Sequence, residues 1–179
     1  IKAKRNHILK VAYEGLDDTV QKLLSQMAAL GNAIDVDTLN VFNPFVDTEN
    51  SLQLFDALLQ DLEGRGLIWW DNNNFQYDLH PVVRGYAFSQ LNDEDKPETF
   101  DEIYNYFEIQ ARGNYKAKFS SYAEMQNIIA MYNALLGAGK YDAAAELFWD
   151  RLAENLINGL GLYHKAYELL LPLFPNGFS

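Results

Sequence analysis

Residues 62 to 87 read LEGRGLIWWDNNNFQYDLHPVVRGYA, a helix end, a turn between two apolar runs and a new helix start. Upstream, Leu52, Phe55, Leu58, Leu59 and Leu62 recur at steps of three and four, which predicts an amphipathic helix over residues 51 to 64. Gly64 and Gly66 end it. Residues 67–70 and 75–79 are short β-prone runs around Asp71-Asn72-Asn73-Asn74, residues that tolerate the dihedrals of a tight turn, so a hairpin is expected. Period-two alternation puts Phe75, Tyr77 and Leu79 on one face and Gln76 and Asp78 on the other. Pro81 suits the first position of the next helix, where its missing N–H has no partner to lose. His80 falls at that helix start, where several backbone N–H groups are expected to be free and the dipole favours an anion.

Working outward, residues 5 to 14 read as a short helix ending near Gly15. Asp17 or Asp18 can cap the next helix, which carries Val20, Leu23, Leu24, Met27 and Leu30 and stops at Gly31-Asn32. A third short helix is predicted over residues 36 to 42, ahead of Asn43-Pro44. Three helices, a hairpin and a closing helix make a winged-helix layout for residues 16 to 91. The polar stretch NDEDKP at residues 92–97 has no apolar periodicity and is the expected module boundary.

Helical signals alone follow. Phe100, Ile103, Tyr104 and Phe107 mark a helix over residues 97 to 111, and Tyr122, Met125, Ile129, Tyr132 and Leu136 another over 120 to 137. Tyr141, Ala144, Ala145, Phe148 and Leu152 repeat the pattern after Gly137-Ala138-Gly139. GKYDAAAELFWDRL, starting at Gly139, and GLYHKAYELLLPLF, starting at Gly161, echo one another 22 residues apart, with Gly, Tyr, Ala and Leu in register. Gly–x–Tyr–x–x–Ala suits helical-repeat hairpins: a glycine turn, an aromatic wedge and a small residue where helices approach. The interval is shorter than the roughly 34 residues of a tetratricopeptide repeat, so a stunted inter-repeat helix is expected at residues 155 to 159. The expected fold is mainly α. Residues 1–92 form a winged-helix domain with a short preceding helix and one small β-hairpin wing, and residues 97–179 an antiparallel TPR-like helical-repeat array.

Composition bounds the chemistry. With 49% apolar residues in 179, the chain can bury a substantial core. A formal net charge of −11, from 14 Lys and Arg against 25 Asp and Glu, opposes nucleic acid and anionic membrane surfaces as partners. The absence of cysteine excludes disulfides and thiolate-ligated metals, and no apolar run reaches the roughly 18 residues of a membrane span, so a cytoplasmic location is expected. The opening at Ile1 and the closing FPNGFS suggest a piece of something longer. Phosphate-loop, dinucleotide-binding, zinc-protease and nucleophile-elbow motifs are all missing, so no enzymatic activity and no cofactor are expected of this piece by itself. The acidic pairs Asp142 with Glu146 and Asp93 with Glu94 read as solvated faces. Asp56, Asp61 and Glu63 on the helix before the wing disfavour major-groove readout, although Lys2, Lys4, Arg5 and Lys10 leave a small basic arm. Of Trp69 and Trp70, one is expected in the core and the other against a neighbouring module; the repeat tyrosines and phenylalanines read as core, and His164 as exposed without a partner. For His80 two readings stand: a helix-start histidine bonded locally, or a phosphate contact.

LHPVVRGYA after a hairpin, preceded by VAYEGLDDTVQKLLSQMAAL and LFDALLQDLEGRGLI, resembles the winged-helix module of the STAND class of signal-transduction ATPases, relatives of the NB-ARC apoptotic and plant immune receptors. VAYEGL is similar to the S-Y-D-x-L stretch that opens that module, and LHP to its MHD motif, whose histidine contacts the β-phosphate of ADP and locks the closed state. YNALLGAGKYDAAAELF and YELLLPLFPNG resemble the tetratricopeptide-type sensor that bacterial members carry after the winged helix. Pro81 stands where the motif has aspartate, so only His80 carries over. The resemblance implies a non-catalytic regulatory piece whose winged helix closes on ADP or ATP with magnesium, bound by an absent upstream nucleotide-binding module. Its repeats would bind a protein or small-ligand trigger, and trigger and nucleotide would favour opposite states of a two-state switch. The rival readings are a helical-repeat scaffold without nucleotide and a winged-helix transcription regulator.

Overall fold

A computed structural model describes residues 2–92, 94–112 and 118–174, and the chain divides into two compact units, Ile1–Asn92 and Asp93–Ser179. It is mainly helical with one small antiparallel sheet. Asp93 of the expected boundary stretch, and residues 113–117 and 175–179 of the expected repeat region, lie outside the described residues.

In the first unit α1 spans Lys2–Glu14 and α2 Asp18–Leu30. Asp17 settles the choice of cap, accepting from the Val20 N–H at 3.0 Å, and Gly31 closes α2 in the left-handed region at φ 78°. Strand β1, Ile34–Asp35, leads into α3, Val36–Asn40, which Asp35 caps through the Thr38 N–H at 2.8 Å. α4 spans Ser51–Gly64, β2 Ile68–Asp71, β3 Gln76–Leu79 and α5 Pro81–Gln90. Leu24, Met27, Leu39, Leu59, Leu62, Leu67 and Ala87 are all sealed from solvent and form the centre of the core. A buried hydroxyl chain crosses it. Tyr13 donates to the Gln21 carbonyl at 3.2 Å, Ser25 donates to the Ala87 carbonyl at 3.1 Å, and the two hydroxyl oxygens approach to 3.2 Å. These bonds join α1, α2 and α5, and burial raises the Tyr13 phenol above its ordinary pKa.

The sheet differs from the expected hairpin. β3 lies in the middle of the order β1-β3-β2, with Ile34 opposite Tyr77 on one side and Ile68 opposite Leu79 on the other. A two-residue strand has no alternation to read, yet pairing it satisfies the backbone groups of β3's second edge and buries Ile34. Phe75 is not on the β3 face: it takes φ 54° in the turn and is 69% exposed. The tryptophans differ as well. Trp69 is exposed and Trp70 half-buried, tilted against Tyr77 at 4.7 Å between ring centres, while the core position of β2 belongs to Ile68. Alternation along β2 sets Ile68 in the core and Trp69 in solvent, but neither tryptophan is a core residue.

In the second unit α6 spans Asp95–Ala111 and starts two residues earlier than expected, because Pro97 fits the first turn without losing a hydrogen bond. A 3₁₀ turn, Ala123–Met125, opens α7, Gln126–Gly137. α6 packs on α7 so closely that a Cβ on Gly137 would stand 2.3 Å from the Phe100 ring. α8, Tyr141–Leu147, does not end at a stunted helix; it runs on as π-helix through Phe148–Ala153 and Asn155–Gly159. α9 covers Tyr163–Leu170 and ends in a 3₁₀ turn, Leu171–Leu173.

The π winding has a legible cause. Ala144, Phe148, Leu152 and Leu156 are all buried and recur at steps of four. In an α-helix of 3.6 residues per turn such a row creeps around the helix by about 40° per step, and the wider π turns after Leu147 drift the other way, which offsets the creep and returns the row to the core of Met125, Tyr132 and Ala166. Asn155 assists by bonding the Arg151 carbonyl with its side-chain amide at 3.1 Å. The repeat echo is met only in part. Gly139 and Gly161 make left-handed turns at φ 73° and 66°, and Ala144 and Ala166 are buried. Tyr141 and Tyr163 are no wedges: they are 45% and 67% exposed.

Candidate functional site

His80 sits where β3 hands over to α5. Its N–H donates to the Leu67 carbonyl at 3.1 Å, prolonging the hairpin pairing by one rung, and its carbonyl accepts the first helical bond from Arg84 at 2.9 Å. Leu79 is buried on one side of it and Val83 on the other, so the backbone of His80 is held from both directions. Its side chain acts as the N-cap, with Nδ1 accepting the Val82 N–H at 3.2 Å. An accepting Nδ1 carries no proton, so in the neutral ring the proton is on Nε2. No partner for that Nε2–H is found among the described residues, and the ring is half-buried. His80 thus presents one fixed donor.

The helix start is less open than expected. Pro81 has no N–H, the Val82 N–H is taken by His80 itself and that of Arg84 enters the helix, which leaves Val83 as the one first-turn amide without a partner among the described residues. The local bond and the outward donor coexist on one ring, so the two readings of His80 use different nitrogens.

Arg84, one turn along α5, was not singled out from the sequence. Its guanidinium pairs with Asp78 on β3 and reaches the carbonyls of Met27 and Asn32, each at 3.3 Å. It therefore ties the last turn of α2 and the strand before His80 to α5. Only the i−6 spacing of Asp78 from Arg84 hints at the pair in the sequence.

The remaining candidates separate in space. Asp56, Asp61 and Glu63 of α4 are exposed, with Arg65 bound to Asp61 at 2.7 Å, so the helix before the hairpin presents carboxylates outward. His7 is exposed on α1. His164, expected to lack a partner, has Nε2 3.1 Å from Glu168 one turn on, and Lys165 holds the same carboxyl below its usual range. Asp71 ends β2 at the hairpin turn, where bonds from Asn74 and Asn73 hold its carboxyl low. Among the described residues no group of three or more His, Cys, Asp and Glu side chains could hold a metal ion, and no helix is long and apolar enough to cross a membrane. No family model matches the chain, and neither a curated protein nor a solved structure matches it.

Proposed function

We propose that the first unit is a winged-helix module and the second a TPR-like sensor, together the regulatory part of a STAND-type nucleotide switch. The observation that carries this reading is His80. One ring nitrogen is tied to the start of α5, so the other is an aimed donor, which suits a phosphate oxygen of ADP held by an upstream module. The Val83 N–H adds a second donor. Magnesium and the catalytic groups would come from that module. Acidic α4 supports a protein-facing rather than a DNA-facing use of the unit.

The test separates the two nitrogens of His80. Asparagine is a good N-cap and lacks the distal donor, so His80→Asn keeps the cap and removes the phosphate contact. Losing a hydrogen bond to a charged group costs about 1.5–3 kcal/mol, which speeds ADP release by roughly ten- to a hundredfold in the protein that contains this chain with its upstream sequence. An ADP off-rate unchanged in His80→Asn sinks the nucleotide reading. The scaffold reading without nucleotide then stands, favoured by the exposed aromatic rings of the second unit.

A further inference from the structure

The outer side of α8 carries two rows in parallel, both at steps of four. Tyr141, Ala145 and Trp149 form an apolar row: Tyr141 is 45% and Trp149 59% exposed, and Ala145 is half-buried. Asp142, Glu146, Asp150 and Glu154 form an acidic row, all exposed. Tyr141, Ala145, Asp142 and Glu146 stand on the α-helical part, and Trp149, Asp150 and Glu154 on its continuation beyond Leu147, where Phe148, Leu152 and Leu156 face the core. Trp149 is not loose, since its ring stands edge-on to buried Phe148 at 5.2 Å.

The acidic row is costly where it stands. Like charges four residues apart on a helix destabilise it by a few tenths of a kcal/mol per pair, and the row contains three such pairs. Asp142 is explained by its place in the first turn, where the dipole favours a carboxylate. Glu146, Asp150 and Glu154 have no such reason, and none of the four carboxylates forms an ion pair among the described residues. The carboxylates do not converge on a point, and no metal-holding group is found there; from first to last they span on the order of 15 Å of helix. A line of charge beside a line of aromatic surface matches another line.

We propose that this face of α8 docks a basic amphipathic helix of a partner protein, with lysine or arginine at i, i+4 spacing against the acidic row and apolar side chains on Tyr141 and Trp149. Arginine suits the place best, because its guanidinium can lie on the indole while bonding a carboxylate. The proposal deepens the partner half of the reading above and rests on it, but needs no nucleotide, so its test can fail without touching the ADP experiment and the reverse.

The test titrates the 179-residue chain with a synthetic, end-capped helical peptide of about 16 residues, alanine and leucine with arginine at every fourth position, by calorimetry at low and high salt. Saturable binding that weakens with salt is expected. A triple variant, Glu146→Gln, Asp150→Asn and Glu154→Gln, should weaken it at least tenfold while melting no lower than the parent, because it relieves repulsion. The charge-matched control Asp47→Asn, Glu49→Gln and Asp56→Asn, all exposed in the first unit, should change binding less than twofold. Trp149→Ala should weaken binding several-fold with both charge sets intact. Equal losses in the two triple variants would mean diffuse attraction to a negative chain and overturn the proposal, as would an unaffected Trp149→Ala or no saturation at millimolar peptide. Self-association of the chain that the Glu146, Asp150 and Glu154 variant abolishes would make the occupant a second copy, and would overturn it too.

Discussion

His80 and Tyr132 show how much chemistry one side chain's surroundings decide. Pro81 marks the helix start in the sequence, so the position of His80 was legible; that its own Nδ1 consumes the Val82 N–H was not, because a cap bond depends on a rotamer. His80→Ala should therefore cost the isolated chain about 1 kcal/mol, one ordinary hydrogen bond, and His80→Asn almost nothing; urea melts of both variants check it. Tyr132 is sealed from solvent, donates to the Leu169 carbonyl on α9 and contacts Phe148, and burial pushes its phenol up to about 12. A raised folded-state pKa means that the unfolded chain loses this proton first, near pH 10. The stabilisation is complete below that pH and is lost as pH rises towards 12. The second unit should melt alike at pH 7 and 9 and weaken between 10 and 12. Tyr132→Phe should cost about 1 kcal/mol at neutral pH and flatten that alkaline decline, measured by denaturant melts against the parent across the range. A decline just as steep in Tyr132→Phe would place the titration elsewhere.

Element by element, periodic signals translated well and short or shifted ones did not. Capped, regular α2 followed from Asp17 and Gly31. β1, two residues long, offered nothing to count. The exposure of Tyr141 and Tyr163 was hidden because helical spacing says which residues share a face, not which face meets solvent, and four-residue steps in α8 fit several faces until the winding is known. Gly137 looked like turn punctuation beside Gly139, yet the two do different work. Gly139 needs its φ of 73°, where any side chain is strained, while Gly137 is helical and is needed for the approach of Phe100. Gly137→Ala should cost about 1–3 kcal/mol by overpacking, and Phe100→Leu should recover part of that loss in the double variant although it destabilises alone. No such rescue is expected for Gly139→Ala, which costs about 1–2 kcal/mol through its backbone. Equal responses of the two glycine variants to Phe100→Leu would remove the packing account of Gly137.

Across the whole molecule, what matters for folding is that each unit closes its own core. The first is organised around Leu24, Met27, Leu59 and Leu62, tied by the Tyr13–Ser25–Ala87 bonds and by Arg84. The second is organised around Met125, Tyr132, Phe148, Leu152 and Leu156, with Lys140 bonding Asp101 at 2.6 Å between α6 and the start of α8. The chain divides at Asn92 into two compact units, and each exceeds the roughly 40 residues below which a domain needs disulfides or metals to fold. Both pieces, 1–92 and 93–179, should therefore fold when expressed separately, each with helical circular dichroism and a cooperative urea transition. In the second piece Leu152→Ala removes a side chain sealed inside the four-step row, and should cost about 2–5 kcal/mol. Because that row holds the winding, the same change should loosen the register of α8 and free the Trp149 ring from its edge-on contact with Phe148, seen as a fall in fluorescence anisotropy; this piece holds no other tryptophan. A 93–179 piece that melts without cooperativity, or a Leu152→Ala variant with unchanged Trp149 anisotropy, would show that the winding of α8 is not held by its buried row.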